Sequence, residues 1–284
     1  MLNSCTEQEF RKYVDRVYEI ALDQSRSGYP TYSDGIKTKE MFIERAGKAF
    51  QRDTEEILLF EYESKVEGWI HYYRLPEDNY LQTVSFNIAV HTEQALEEFL
   101  TYVGERFKGD DVFLGFSTKN IKAINYLAAH GFERIEESWN NTLYFDRYRK
   151  VPEGCGIVRI DKENYAAFRE LHSEVEGDMY WNSDRIYEDI EHWMIFVKIE
   201  DGQTLGCVYY MLDDDGWFEI YGLDMKGGRF DPKLFRELMG KALNAAEEIN
   251  GKYMTMFCEA EEQPYIGEFG FECVGGYVCY KKEL

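Results

Sequence analysis

The chain has 284 residues, of which 44% are hydrophobic and 16% aromatic, so it is long enough for one large or two ordinary domains with buried cores. Its 54 acidic and 32 basic residues give a formal net charge of −22. Such a surface repels nucleic acid and anionic lipid and attracts cations such as amines. The alternative is an acidic, solvated surface that steers no ligand. The sequence contains no apolar run of about 18 residues, so no membrane helix is predicted. The start, MLNSCTEQEF, has no apolar signal region.

The first half of the chain predicts alternating helices and strands. Thr6 and Glu9 form a capping box that opens the first helix, and a polar, aromatic loop follows it over residues 27–34. The hydrophobic periodicity then predicts a helix at 39–50, strands at 56–62, 68–74 and 81–90, a helix at 93–106, a strand at 112–117, a helix at 121–129 and a strand at 132–145.

Residues 150–154, Lys-Val-Pro-Glu-Gly, predict a linker, and the order of elements restarts after it. Asp161 is predicted to cap a helix that runs to about residue 175, after a strand at 157–160. The remaining elements are a polar, aromatic loop at 177–184, a helix at 185–192, strands at 195–199 and 205–211, a strand at 217–225, a helix at 232–246, a strand at 253–258, a short helix at 263–268 and a strand at 271–280.

The two halves repeat one plan at the level of single residues. Tyr126, Gly131 and Phe132 match Tyr265, Gly270 and Phe271 at one constant offset, and the apolar positions of the helices at 93–106 and 232–246 match at that same offset. We therefore predict two copies of one fold, in domains 1–149 and 155–284.

The stretch 217–246 combines a strand, a turn and a helix. Residues 217–225 alternate in a period of two that is typical of a strand, and Lys226-Gly227-Gly228-Arg229 interrupts the pattern. Asp231 followed by Pro232 then predicts the N-cap and first position of an amphipathic helix. A helix that starts directly after a strand points its free N–H groups at a ligand beyond the strand, which is how many folds hold a phosphate.

This strand, turn and helix resemble the core of the GNAT N-acetyltransferase superfamily, in which an Arg-Gly-x-Gly-x-Gly/Ala loop cradles the pyrophosphate of acetyl-CoA. Asn120 and Ala123, placed ahead of Gly131 and Phe132, also resemble the Asn-x-x-Ala and Gly-Phe ending of a GNAT domain. The resemblance covers nearly the whole chain. It implies an α/β (α+β) fold of two tandem GNAT-like domains, each a mixed, splayed sheet with helices on both faces.

The pyrophosphate loop departs from the family pattern in both halves. When the family pattern is aligned without gaps from Leu223, Phe230 falls at the arginine position. Asp231, Lys233 and Phe235 fall at the three glycine positions. As an N-cap, Asp231 would accept the backbone N–H groups that a pyrophosphate needs and would repel its charge. In the first half Thr92 is expected to cap the equivalent helix, and no glycine stands in the loop.

The resemblance supplies candidate catalytic and cofactor residues in the second half. Glu219 lies on the strand where this family often carries a carboxylate base, although a charge at a sheet edge, paired with Lys or Arg, is the alternative. Tyr265 is the candidate for protonating the departing thiolate, although it stands one residue before the family position and a packed core tyrosine is the alternative. The residues expected to bind acetyl-CoA or another acyl-CoA are Leu223, Met225, Lys226, Arg229 and Lys233.

The loops after the first helix of each half lie where GNAT domains build the pocket for the acceptor amine. Aromatic rings with carboxylates suit a cationic amine through cation–π contacts and ion pairing, whereas aromatic rings that simply plug the sheet are the alternative. The candidate pocket residues are Tyr180, Trp181 and Asp184 in the second half and Tyr32 and Asp34 in the first.

Two functions are compatible with these patterns. The first is an acyl-CoA-dependent N-acyltransferase acting on a small-molecule or peptide amine, with the second domain active and the first non-catalytic. The alternative is a catalytically inactive tandem module that binds a ligand or protein and has lost the cofactor site. No metal, nucleic acid or membrane partner is expected, and six cysteines without a C-x-x-C pair favour a cytoplasmic protein. The two halves would form a pseudo-dimer, which favours a monomeric chain.

Overall fold

The chain forms two compact α/β units. The structure, a computed structural model, describes residues 1–34, 37–177, 179–213 and 216–284, with the side chain of Asp34 outside the description. The first unit comprises Met1–Ser138 with Val274–Leu284, and the second unit comprises Trp139–Cys273. Each unit therefore takes its last strand from the opposite half of the sequence. The boundaries 1–149 and 155–284, which describe the internal repeat, stay a prediction.

The described residues contain strands and helices in an order close to the predicted one. The strands are β1 (Leu2–Ser4), β2 (Glu55–Tyr62), β3 (Lys65–Leu75), β4 (Tyr80–Ile88), β5 (Asp111–Ser117), β6 (Glu133–Tyr144), β7 (Ile157–Arg159), β8 (Trp193–Glu200), β9 (Gln203–Met211), β10 (Trp217–Met225), β11 (Tyr253–Cys258) and β12 (Glu272–Glu283). The helices are α1 (Glu7–Ala21), α2 (Lys39–Gly47), α3 (Thr92–Arg106), α4 (Ile121–Ala129), α5 (Ala166–His172), α6 (Ser183–Glu188), α7 (Pro232–Glu248) and α8 (Gln263–Ile266).

The sheet of the first unit has the strand order β1-β2-β3-β4-β5-β12. Neighbours are antiparallel except β4 and β5, which are parallel and pair only between residues 80–82 and 111–113 before they diverge. β2 is buried on both faces because Ile57 and Leu59 pack with α1 and α2, whereas Leu58 and Phe60 pack with α3 and α4. The sheet is thus mixed and splayed, with helices on both faces, as predicted.

The second unit repeats this plan with the order β6-β11-β10-β9-β8-β7. Its parallel pair is β10 and β11, joined between residues 217–220 and 253–256, and β10 shifts register against β9 between Ile220 and Gly222. α7 covers one face and buries Phe235, Leu238 and Ala242 completely, and α5 and α6 cover the other face. Burial of a side chain such as Phe235 contributes about 1.5–3 kcal/mol.

Three local predictions differ from the structure. Asp161 does not cap a helix, because its carboxylate accepts the backbone N–H groups of Glu163 and Asn164 in a local turn and α5 begins only at Ala166. Thr92 is the first residue of α3 rather than its cap. β1 was not predicted, since its three residues carry no periodicity and are held by pairing with β2.

None of the helices in the described ranges has the length and apolar character needed to cross a bilayer. All six cysteines are free thiols, and Cys207, Cys258 and Cys279 are buried.

Candidate functional site

A cavity of about 360 Å³ opens in the second unit where β10 and β11 diverge. Its walls are the end of β10 from Tyr221 to Met225, the end of β11 at Met256 and Phe257, and the turns that follow both strands. The carboxyl ends of parallel strands are where open α/β sheets bind ligands. This cavity is therefore the candidate functional site.

Gly222 gives the cavity its shape. A Cβ atom at this position would lie 2.2 Å from the hydroxyl oxygen of Tyr209 on the neighbouring strand, so only glycine leaves room for that ring. The register shift beside Gly222 coincides with the point where β10 stops pairing with β11. The alternating pattern at 217–225 predicted the strand, but a pattern within one strand contains no information about this cross-strand contact.

The cavity is acidic, with the carboxylates of Asp224, Glu259, Glu261 and Glu262 in its lining. Glu262 is only 9% exposed, and its burial, together with the charges of Glu259 and Asp224, raises its pKa to about 7. The cavity therefore attracts a cation and repels a phosphate.

A buried histidine holds one of these carboxylates. The Nδ1 atom of His172 lies 3.0 Å from Oδ2 of Asp224, and its Nε2 atom lies 3.0 Å from the carbonyl oxygen of Trp181. Both neighbours accept hydrogen bonds, so both ring nitrogens donate and the ring is an imidazolium. Burial alone would lower the pKa of His172, but the hydrogen bonds to Asp224 and Trp181 outweigh it and raise this pKa. Sequence reasoning missed the pair, because its members lie on α5 and β10, far apart in the chain.

The N-terminus of α7 is capped as predicted. Oδ1 of Asp231 accepts the backbone N–H groups of Lys233 at 2.8 Å and Leu234 at 3.1 Å, and Pro232 has no N–H to offer. The donors that a pyrophosphate would use at this helix end are therefore occupied.

The predicted cofactor residues divide into two groups. Leu223 and Met225 line the cavity. Lys226, Arg229 and Lys233 are exposed on the following turn and the start of α7, outside the cavity lining. Lys226 lies 3.9 Å from Glu170 at its nearest charged atoms, a separation that leaves its ammonium group solvated.

The predicted catalytic residues lie outside the cavity lining. Glu219 stands opposite Thr255, in the segment where β10 and β11 are still paired. The ring of Tyr265 packs with those of Phe230 and Phe235, at centroid distances of 5.5 and 6.4 Å. The catalytic roles of both residues stay predictions.

Two aromatic residues of the predicted acceptor pocket lie in the second unit. The ring of Trp181 contacts Trp193 at a centroid distance of 5.2 Å and lies 6.5 Å from Tyr221, which lines the cavity. Tyr180 is 37% exposed, and the guanidinium of Arg185 lies 4.3 Å from its ring centroid. The structure thus brings Trp181 close to the cavity wall.

The other predicted pocket residues are placed differently. Asp184 forms an exposed ion pair with Arg169 at 2.6 Å. Tyr32 is partly buried and packs edge-on against Phe42 at the core of the first unit, and burial raises its pKa to about 12. Its role in an acceptor pocket stays a prediction. The prediction for Asp34 concerns a side chain outside the described part of the structure.

In the first unit, the wedge between β4 and β5, which is the gap where these two parallel strands diverge, is filled by the unit's own chain. The backbone N–H of Ile88, at the end of β4, donates to the carbonyl of Arg26 at 3.1 Å. Nδ2 of Asn120, after β5, donates to the carbonyl of Ser27 at 3.2 Å. The loop at residues 26–29 is therefore hydrogen-bonded to both sides of the wedge.

Gly28 marks the closest approach of this loop to the strands. A Cβ atom on Gly28 would lie 3.2 Å from the carbonyl oxygen of Gly115 on β5 and 3.3 Å from the backbone nitrogen of Phe86 on β4. Next to it, the ring of Tyr29 stacks on Tyr277 with centroids 5.1 Å apart. No space for a ligand is left at this point between the two strands.

Two further depressions lie away from the parallel strands. One, of about 510 Å³, is beside the turn after β7 in the second unit. The other, of about 470 Å³, is in the first unit, and its arginines are paired internally, Arg52 with Glu55 and Arg74 with Asp110. Within the described residues, no group of three or more His, Cys, Asp or Glu side chains could hold a metal ion.

Comparison with known proteins identifies the fold. No protein-family model matches the sequence, and no curated protein matches it either. Solved structures do match over the whole chain. A GCN5-related N-acetyltransferase from Sphaerobacter thermophilus superposes with a TM-score of 0.65 at 12% identity, covering 100% of this chain and 95% of that one.

Two other solved structures agree with this match. A tandem GNAT protein from the clavulanic acid biosynthesis pathway has a TM-score of 0.55 at 12% identity and covers 100% of this chain and 98% of its own. A putative acetyltransferase from Pyrococcus horikoshii has a TM-score of 0.56 at 11% identity, with coverages of 100% and 89%. Identities this low establish the architecture alone.

Proposed function

From the tandem GNAT fold that the chain has, we propose that it transfers an acyl group from acyl-CoA to an amine, with the second unit as the active one. The observation that carries this assignment is the contrast between the two wedges. The wedge between β10 and β11 contains the cavity of about 360 Å³, whereas the wedge between β4 and β5 is filled by residues 26–29.

The residues of the second unit fit the two ends of acyl-CoA unequally. The apolar walls at Leu223, Met225 and Phe230 suit the narrow acyl-bearing arm. The diphosphate cannot use the capped end of α7, so we assign it to the exposed cations Lys226 and Arg229 on the adjacent turn, together with Lys233. Binding through flexible surface cations gives weaker affinity than a cradle of backbone donors.

The acceptor class follows from the carboxylates in the same cavity. A protonated primary amine is attracted by Asp224 and the three glutamates, and the nearby rings of Tyr221 and Trp181 provide cation–π partners. A small-molecule or peptide amine is therefore the proposed acceptor.

Calorimetry with acetyl-CoA tests the proposal. We expect a dissociation constant in roughly the micromolar range typical of enzyme substrates and one ligand per chain, because only the second wedge is open. Leu223→Trp should abolish binding by filling the cavity, whereas Val84→Trp, at the repeat-equivalent position on β4, should leave it unchanged. Absence of binding at millimolar acetyl-CoA, or loss of binding in Val84→Trp alone, contradicts the proposal.

The second candidate function is a non-catalytic tandem module that binds a cationic ligand or protein. The capped end of α7 favours it, because Asp231 takes the donors a pyrophosphate would need. This candidate predicts binding of amines without any binding of acyl-CoA. A monomeric state and a cytoplasmic location stay predictions under either function.

A further inference from the structure

Glu262 is the most deeply buried carboxylate of the cavity. It lies in the turn between β11 and α8, lines the cavity, and is 9% exposed. Its Oε2 atom accepts the backbone N–H of Glu259 at 2.9 Å, which fixes the side chain against the turn. A fixed, buried carboxylate at a ligand cavity has the geometry of a group that exchanges a proton with the ligand.

Among the residues that the structure describes, the surroundings of Glu262 contain acids and no cation paired with it. Glu259 and Glu261 stand on its own turn, Asp224 faces it from β10, and the Cys258 thiol is next to it on β11. None of the ion pairs found in the described ranges includes Glu262. Burial and these neighbouring charges hold its pKa at about 7, so the carboxyl exchanges protons near neutral pH.

The other carboxylates of the cavity are less suited to this role. Asp224 is committed to the imidazolium of His172 at 3.0 Å. Glu259 and Glu261 are exposed and solvated. Glu219 is outside the lining.

The internal repeat emphasises the position of Glu262. At the offset that aligns Tyr126 with Tyr265, Glu262 corresponds to Ala123, which is completely buried beside the filled wedge of the first unit. The copy with the closed wedge thus has a methyl group where the copy with the open cavity has a carboxyl group. The sequence shows this exchange of alanine for glutamate, and the structure places the glutamate at the cavity.

We infer that Glu262 is the catalytic residue that takes the proton from the acceptor amine, an inference that rests on the proposed acyl transfer. The amine enters as R–NH₃⁺ and gives one proton to the Glu262 carboxylate. The nitrogen lone pair then attacks the thioester carbonyl, so that the C–N bond forms as the C–S bond breaks. The sulfur leaves with the electron pair and takes the second nitrogen proton. The products are the amide, the free thiol and protonated Glu262, which returns its proton to water.

The test compares Glu262→Gln, which keeps the shape and removes the proton acceptor, with the control Glu248→Gln, the same change at an exposed position of α7 outside the cavity lining. Acetyl-CoA is the donor, and a panel of alkyl and arylalkyl primary amines, which carry the positive charge, supplies the acceptor. Released thiol is measured from pH 5 to 9, a range of about two units on each side of the expected pKa. In the wild type, kcat/KM should rise with pH and reach half its plateau near pH 7. In Glu262→Gln, kcat/KM should no longer rise with pH and should fall by roughly 10²–10⁴-fold, with unchanged acetyl-CoA affinity by calorimetry. Glu248→Gln should keep the wild-type rate and pH dependence.

Each outcome decides the question. A Glu262→Gln variant that retains both rate and pH dependence overturns the inference and leaves the proposed function standing. A wild type that binds no acetyl-CoA refutes the proposed function, and the inference falls with it. If acetyl-CoA binds but no amine of the panel reacts, infrared titration decides. A carboxylic acid C=O band that titrates near pH 7 in the wild type and is missing in Glu262→Gln supports the inference, and its absence from both overturns it.

Discussion

The capped end of α7 leads to a prediction about Asp231→Gly. In the native chain Oδ1 of Asp231 accepts two backbone N–H groups, from Lys233 at 2.8 Å and Leu234 at 3.1 Å, and places a negative charge where acyl-CoA would bring its diphosphate. Two like charges about 4 Å apart repel by about 4 kcal/mol at an effective dielectric constant near 20. Asp231 is exposed, so solvent screening leaves about a third of this repulsion, about 1.4 kcal/mol.

The substitution should improve CoA affinity by at least about tenfold, since 1.4 kcal/mol corresponds to a factor of ten. Stability should fall by only a few tenths of a kcal/mol, because glycine is a tolerated N-cap. Calorimetry measures the affinity, and urea unfolding measures the stability. Asp231→Asn is the matched control, because it removes the charge but keeps an oxygen that accepts the same N–H groups.

The two variants separate charge from occupied donors. If Asp231→Asn improves affinity as much as Asp231→Gly, repulsion alone is the obstacle. If only Asp231→Gly does so, the freed N–H groups matter. Unchanged affinity in both folded variants refutes the reasoning, and Phe235, which is completely buried behind the loop, would then be the obstacle.

Three further predictions concern stability. His172→Gln should lower the unfolding free energy by about 3 kcal/mol, because it removes the charged partner of Asp224, whose side chain is 12% exposed. Since the pKa of His172 is raised in the folded state, its contribution is present below the unfolded value of 6.5 and is lost as pH rises through the folded pKa. A urea series at several pH values that shows no such loss in the wild type contradicts the pair. Glu262→Gln should be more stable than the wild type at pH 8 by up to about 3 kcal/mol and nearly equal to it at pH 4. The pKa of Glu262 rises from 4.5 to about 7 on folding, so ionising this carboxyl above pH 7 destabilises the folded wild type. Equal stabilities at pH 8 would show that the carboxyl is solvated. Gly28→Val should destabilise by about 1–3 kcal/mol, because the strand backbones are already 3.2–3.3 Å from a Cβ at this position, whereas Gly104→Ala, with open space around it, should be neutral or stabilising in thermal unfolding.

The elements that sequence patterns predicted well are those with a local cause. The helix at 121–129 was predicted at its observed bounds because Asn120 caps it and its apolar residues follow one face. The Asp231 cap was predicted for the same reason, since the carboxylate and its donors lie within three residues. Asp161 shows the limit of such signals, because an N-cap and a free-standing turn use the same hydrogen bonds.

The site was predicted less well because it depends on contacts between distant segments. The alternation at residues 217–225 predicted the strand β10, and the resemblance to GNAT domains supplied Leu223 and Met225 as cofactor residues. Neither indicated where β10 stops pairing with β11. Burial turns Glu262 from one member of an acidic turn into a group that titrates near neutrality, and nothing in the neighbouring sequence signals that burial. The filling of the first wedge by residues 26–29 is hidden for the same reason, since a Ser-Gly-Tyr loop is typical of an exposed connection.

The loop at residues 26–29 competes with any ligand that would bind between β4 and β5 in the first unit. It is covalently attached beside the wedge, so a free molecule must compete with a segment whose effective concentration is on the order of millimolar or more. The bound segment also makes hydrogen bonds to Ile88 and Asn120, which the competitor would have to replace. A metabolite at micromolar concentration displaces the loop only if its affinity for the first unit is far higher than that of an ordinary substrate. At micromolar concentrations of an ordinary cofactor, the first unit therefore stays occupied by its own chain.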